Sequence, residues 1–209
     1  IENNFISDDW NALNILPQNA ATVGAVDLNL ISQNDNSNFV FFDKLENDQF
    51  KLLYLLGSDN LDFKKRNEFI VYQGSHGDRG AGIADIILPS PAFTEQNGLY
   101  SNLEGRIQEC RKASYPTSEA KEDWQIFNLL NKSIYNEILF QNHNFIRKEV
   151  LNKISNYSEI DLLPIKSKNK NKKKSFTQIN EEFNINKIDY YFTNAISRSS
   201  KTMSDCRNV

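Results

Sequence analysis

A chain of 209 residues, 39% hydrophobic and 24% charged, can build one α/β domain or a large piece of one, and 14 Phe and 8 Tyr can supply much of its buried area. A formal net charge of -3 argues against a general nucleic-acid binder, and no apolar run is long enough to cross a bilayer, so membrane association would come through partners. Two cysteines, Cys110 and Cys206, do not make a secreted disulfide scaffold and read as free thiols in a reducing compartment.

The N-terminus, Ile1-Glu2-Asn3-Asn4, shows neither an initiator Met nor a signal-peptide pattern, so the reading is of a chain with something upstream removed or starting late. Asp9–Leu28 is rich in small and apolar residues and is broken by Pro17; it reads as helix or turn packed closely against something. Asn34–Gln49 is polar apart from Phe39-Val40-Phe41-Phe42 and reads as a variable excursion. The run Phe50-Lys51-Leu52-Leu53-Tyr54-Leu55-Leu56, ended by Gly57-Ser58-Asp59-Asn60, predicts a central parallel strand buried on both faces. A second run, Phe69-Ile70-Val71-Tyr72, ends in the glycine-rich stretch Gly74–Gly82, and a third, Asp85-Ile86-Ile87-Leu88, stops at Pro89.

After Pro116 the periodicity becomes helical. Thr117 or Ser118 is placed to cap, Glu119, Glu122 and Asp123 suit the positive end of the helix dipole, and Trp124, Phe127, Leu130 and Ile134 form one apolar stripe. Ile146, Val150 and Ile154 predict a further helix. Lys166–Lys174 carries six lysines in nine residues and reads as a solvated insert, with docking to an acidic surface as the alternative. The predicted organisation is an α/β segment over 1–140, a variable helical and loop region over 141–189, and a C-terminal tail over 190–209. The fold class is α/β, a Rossmann-like, mostly parallel sheet flanked by helices.

In open α/β sheets ligands sit beyond the carboxyl ends of the strands, which makes Gly57–Asn60 and Gly74–Gly82 the places to look. The glycines at 74, 77, 80 and 82 match neither the dinucleotide fingerprint nor a phosphate loop, so a structural turn outweighs a nucleotide site. Ser75, His76 and Asp78 have the residue types of a triad, but neighbours this close in sequence are expected to diverge. His76 and His143 lack a metal-ligand cluster, and two cysteines cannot hold an iron–sulfur centre that takes four. Glu95, Glu104 and Glu109 read as solvated or salt-bridged, and Trp10 and Trp124 as core. The residues therefore yield no catalytic, cofactor-binding or metal site on this chain.

Tyr72-Gln73-Gly74-Ser75-His76-Gly77-Asp78-Arg79-Gly80-Ala81-Gly82-Ile83-Ala84-Asp85-Ile86-Ile87-Leu88-Pro89 is followed by Phe93-Thr94-Glu95, Gly98, Tyr100, Asn102, Glu104-Gly105-Arg106 and Gln108. This order strongly resembles the large iron–sulfur subunit of respiratory complex I, which is built on a molybdopterin-oxidoreductase scaffold. Trp10 with Leu13–Leu16, Ala20–Leu28, Leu52–Asp59 and Glu122-Asp123-Trp124 fit it too, as does the tail, Tyr191–Met203 with Cys206. The tail resembles the complex I branch and separates it from the molybdenum enzymes.

The resemblance implies that the sheet is part of a molybdopterin-oxidoreductase-like domain completed by another polypeptide, and that the cluster-binding cysteines lie on a partner, the N-terminal half of the same subunit. A split gene would account for the start and the length. The implied role is structural support of electron transfer from NADH through iron–sulfur clusters to ubiquinone, beside other peripheral-arm subunits. The implied location is the matrix side of the mitochondrial inner membrane, or the cytoplasmic face in an endosymbiont. Two rivals stand beside this: a cofactor-binding fragment of a molybdopterin-type oxidoreductase, with a guanine dinucleotide in the loops after Leu56 and Gln73, and a free-standing interaction module using Lys166–Lys174.

Overall fold

A computed structural model describes residues 16–17, 19–30, 37–154, 159–164 and 189–208. Trp10, Leu13–Ile15 and the lysine-rich run Lys166–Lys174 lie outside the described residues. In chain order the elements are α1 (Thr22–Asp27), α2 (Ser37–Glu46), β1 (Leu52–Leu56), β2 (Phe69–Gly74), α3 (Arg79–Ile83), β3 (Ile86–Pro89), β4 (Gly98–Ser101), β5 (Ile107–Cys110), α4 (Asp123–Tyr135), α5 (His143–Lys153), α6 (Ala195–Ser199) and α7 (Lys201–Arg207). They gather into two compact units. One takes its described residues from Ile1–Asp35, Asn97–Cys110 and Asn142–Lys166, the other from Asn36–Gln96, Arg111–Gln141 and Ser167–Val209.

The larger unit is the α/β part. Its three-stranded sheet is parallel throughout, in the order β1-β2-β3. The three apolar runs read from the sequence are these three strands, but the middle place belongs to the second run rather than the first. Leu52 and Leu56 at the two ends of β1 are exposed, whereas Ile70, Tyr72 and Gln73 of β2 are essentially inaccessible. A strand with a neighbour on each side is shielded over more of its length than one at the edge, and only Phe69 at the start of β2 is exposed.

Alternation along the strands sorts their side chains onto two faces. Leu53 and Leu55 of β1 stand opposite Ile70 and Tyr72 of β2 and form the core with Leu45 of α2; Phe41, Phe50, Leu61 and Phe63 pack around them. Burying each of these aliphatic side chains stabilises the fold by about 1.5–3 kcal/mol. The part of Asn34–Gln49 that is described, from Ser37, is therefore not an excursion. Phe41 and Leu45, four residues apart, put one face of α2 onto the sheet.

The opposite face carries Tyr54, Val71 and Gln73 and is covered by the start of α4. Tyr54 and Phe127 stack at 5.7 Å between ring centroids. The Tyr54 hydroxyl donates to Gln73 Oε1, and Gln73 Nε2 donates to Asp123 Oδ1 at 2.6 Å. This short polar chain ties the central strand to the first turn of α4. Burial, with the Asp123 charge adding to it, raises the Tyr54 pKa above its ordinary value. Replacing Gln73 by Leu should leave both the tyrosine hydroxyl and the carboxylate without their partner, destabilising the chain by about 1–3 kcal/mol; a denaturant titration of the assembled protein reads this directly.

The helix after Pro116 forms, but neither Thr117 nor Ser118 caps it. Residues 117–120 instead make a turn, with Ser118 at φ 52°, and Lys121 N–H donates to the Pro89 carbonyl. The helix begins at Asp123, where Glu122 N–H is satisfied by Gln125 Oε1 at 3.2 Å. Ile126 is its most deeply buried residue; of the predicted stripe, Trp124, Phe127 and Leu130 are half-buried and Ile134, 69% exposed, is not covered.

The smaller unit holds a feature the sequence reading missed, the antiparallel hairpin β4–β5, with Gly98 opposite Cys110 and Ser101 opposite Ile107. Asn102 closes its turn by accepting the N–H groups of Glu104 and Arg106, each at 3.0 Å, on one side-chain oxygen. Gly105 sits at φ 80°, with Pro164 3.1 Å from where a Cβ would lie. Ser101 Oγ donates to Asp27 Oδ2 at 3.1 Å. Asn142 caps the predicted second helix, α5, by accepting Phe145 N–H at 2.9 Å.

Candidate functional site

Where the parallel strands end, the chain forms a cleft of about 220 Å³ between the loops after β1, β2 and β3, with Gly57, Asp59, Gly74, Ser75, Ser90 and Asp123 among its walls. Gly57, at φ 61°, turns the chain out of β1, and its N–H is taken by the Gln73 carbonyl at 2.8 Å. The loop after β2 is drawn against it because Gly80 has no side chain. A Cβ there would lie 2.7 Å from the Ser58 carbonyl oxygen and 3.0 Å from the Tyr72 ring. Gly80 N–H donates to the Asp59 carbonyl, and the Tyr72 hydroxyl donates to the His76 carbonyl at 2.9 Å. None of the glycines at 74, 77, 80 and 82 has positive φ; close approach to the Tyr72 ring is what Gly74 and Gly80 serve, and Gly77 and Gly82 face open space.

The charges of the cleft are settled within the chain. Arg198, from α6 in the tail, places Nε 2.6 Å from Asp78 Oδ2 and Nη2 2.7 Å from Asp59 Oδ2. The other oxygen of Asp78 caps α3 by accepting Arg79 N–H at 2.9 Å. Burial alone would raise the Asp78 pKa, but the hydrogen bonds from Arg198 and Arg79 and their charges outweigh it and hold the carboxyl below its ordinary value. Tyr72 moves the other way: burial first, then the Asp59 and Asp78 carboxylates, raise its pKa. Arg79 itself pairs with Asp62 at 2.7 Å.

The triad-like residues behave differently from expectation in one respect. Ser75 Oγ and His76 Nδ1 do meet, at 2.9 Å, so these neighbours do not diverge. Asp78, the third type a triad needs, is bound to Arg198 and Arg79 rather than to the imidazole. His143 opens α5 in the smaller unit. The predicted acids are spent on structure: Glu95 accepts Ala92 N–H at 3.0 Å, Glu104 approaches Arg106 at 3.6 Å, and Glu109 approaches Arg147 at the same distance. Trp124 donates to Glu122 at 2.8 Å. Cys110 and Cys206 are not joined in a disulfide, and no group of His, Cys, Asp and Glu among the described residues is arranged to hold a metal ion. No helix among the described residues is long and apolar enough to cross a membrane.

Asp85, between the glycine-rich loop and β3, is likewise structural. One of its oxygens accepts Ile70 N–H at 2.8 Å and the other pairs with Lys65. The Lys65 bond foremost, then that of the Ile70 amide, keeps its pKa low. A molybdopterin dinucleotide fits this cleft poorly. Its phosphates would meet Asp59 and Asp123, and Arg198 is already held by two carboxylates. Arg198 is the residue sequence reasoning missed: the tail motif contained it, but no spacing linked it to loops far upstream.

The profile of the molybdopterin oxidoreductase family matches residues 2–133, and that of the C-terminal region of the NADH-ubiquinone oxidoreductase G subunit matches residues 155–206. The chain is 36% identical over 206 residues to the NADH-quinone oxidoreductase G subunit of Rickettsia conorii, a match that takes in 98% of this chain and 29% of that protein. It is 36% identical over 219 residues to the mitochondrial NADH-ubiquinone oxidoreductase 78 kDa subunit of Candida albicans, covering 97% of this chain and 28% of the relative. Against the 75 kDa subunit of Reclinomonas americana the identity is 35% over 211 residues, covering 97% and 29%. The chain thus spans under a third of the length of these relatives. With the family pattern running from Tyr72 through Gln108 and the second profile following it, this chain belongs to the molybdopterin oxidoreductase family and resembles the C-terminal part of the large subunit of complex I.

Proposed function

We propose that this chain is a non-catalytic, structural part of the large iron–sulfur subunit of complex I, supporting electron transfer from NADH to ubiquinone without holding a redox centre. The observation that carries the reading is where its motif side chains go. Asp78, Asp85, Glu95 and Asn102 all bond to backbone N–H groups or to the chain's own basic residues rather than presenting free groups to the cleft. Relatives named as NADH oxidoreductase subunits are more than three times as long, which leaves the clusters and their cysteines to the remainder of the subunit. That remainder, carried as a separate N-terminal half if the gene is split, is the first partner; other peripheral-arm subunits are the next. The complex would stand on the matrix side of the inner membrane, or on the cytoplasmic face in a bacterium.

The family match favours one rival, a fragment that holds a molybdopterin cofactor. Native purification followed by elemental analysis separates the two. The structural reading expects complex I polypeptides to travel with the chain, iron to follow the polypeptide rich in cysteine, and molybdenum to be absent. Molybdenum near one equivalent per chain would overturn it.

A further inference from the structure

The cleft at the strand ends is built to receive one particular chemical group. Asp59 and Asp78 come from two different loops, and both are fixed by backbone bonds: the Asp59 carbonyl by Gly80 N–H, and the Asp78 carboxylate by Arg79 N–H. Their free oxygens then converge on one planar cation, at 2.7 Å and 2.6 Å, with side chains only 17–23% exposed. Two carboxylates aimed at different nitrogens of one fork suit a guanidinium, whereas a lysine ammonium is a point charge on a flexible stem and satisfies such a pair poorly.

The tail supplies the second observation. Among the described residues, its other side-chain bonds are local: Asn194 with Ser197, Ser200 with Met203, and Arg207 with Asp189 and over the Phe192 ring. Arg198 is the polar link that carries it to the sheet loops. We propose that Asp59 and Asp78 form a guanidinium-binding site whose resident ligand is Arg198, and that this site tethers the C-terminal tail to the cleft. The tether thus joins the tail to two of the loops that follow the strands.

The test is amide hydrogen exchange on the chain purified together with its native partners. Arg198→Ala should speed exchange of residues 195–207 and of both loops by about tenfold or more, since local opening sets exchange in such segments. Arg198→Lys should recover only a minor part of that protection. Millimolar methylguanidinium should slow exchange in the loops of Arg198→Ala without restoring the tail, and methylammonium should not. Asp59→Asn, which keeps the shape of the site and removes one charge, should release the tail as well, and it serves as the second variant if Arg198→Ala does not assemble. Tail exchange within about twofold of wild type in either variant, full rescue by lysine, or equal rescue by methylammonium would overturn the proposal.

Discussion

Expressed alone, the chain should be insoluble or lack a cooperative thermal transition, and, on the function proposed above, co-expression with the N-terminal remainder of a complex I subunit should make it soluble and co-eluting. The sheet gives the physical reason. Parallel sheets are covered on both faces in nearly all folds, yet β3 exposes one isoleucine on each face, Ile86 at 45% and Ile87 at 54%. On the face that α4 covers only in part, Leu52 and Phe69 stand directly opposite each other and both are open to solvent. β1 and β3 each have β2 as a neighbour and, among the described residues, no strand on their other side. Ile134, Tyr135 and Ile138 are more than half exposed in the same unit. An unpaired edge and bare apolar surface together are what drive aggregation when a partner is missing. Obligate interfaces that cover such surface commonly bury more than about 2,000 Å². A monodisperse monomer with a single cooperative melt would refute the expectation and revive the free-standing module.

Gly80→Val should be strongly damaging, as should Gly74→Val, costing about 3 kcal/mol or more through overpacking. At Gly80 the new Cβ would press on the Ser58 carbonyl, which is backbone, and on the ring of Tyr72, which is 2% exposed and cannot swing aside. Gly77→Ala and Gly82→Ala meet open space and should lie within about 0.5 kcal/mol of wild type. The readout is the amount of assembled complex and its turnover. Gly80→Val should lower the amount while what assembles oxidises NADH normally. Full assembly with abolished oxidation would make the loop catalytic and sink the structural reading.

The parts of this molecule that were legible in its sequence are those with local signals. Three apolar runs, each closed by Gly, Pro or Asp, are three parallel strands because nothing beyond composition and length is needed to mark them. The helix α2 escaped because four consecutive apolar residues, Phe39–Phe42, mask the spacing of Phe41 and Leu45, and its flanks are polar. The hairpin β4–β5 escaped for a different reason. Its strands have four residues each, and its turn residues, Asn102, Gly105 and Arg106, read as a family motif before they read as a turn. Which run lies in the middle of the sheet depends on pairing, which local composition does not encode. A cleft does lie at the loops that the strand-end rule picks out, but the partner of Asp59 and Asp78 was not legible, because Arg198 reaches them from far along the chain.

That distance has a consequence for how the molecule is made. Arg198 and Asp78 are 120 residues apart, so the two carboxylates are in place long before their cation has been synthesised. Closing a loop that long carries an entropic cost that local contacts do not share, and such contacts form late. Until then the two loops are held by the Gly80–Asp59, Arg79–Asp78 and Tyr72–His76 hydrogen bonds, with two carboxylates that lack their shared cation. Seating of the tail therefore requires a chain synthesised past residue 198, and a product cut short before it would leave the strand-end loops without their cation.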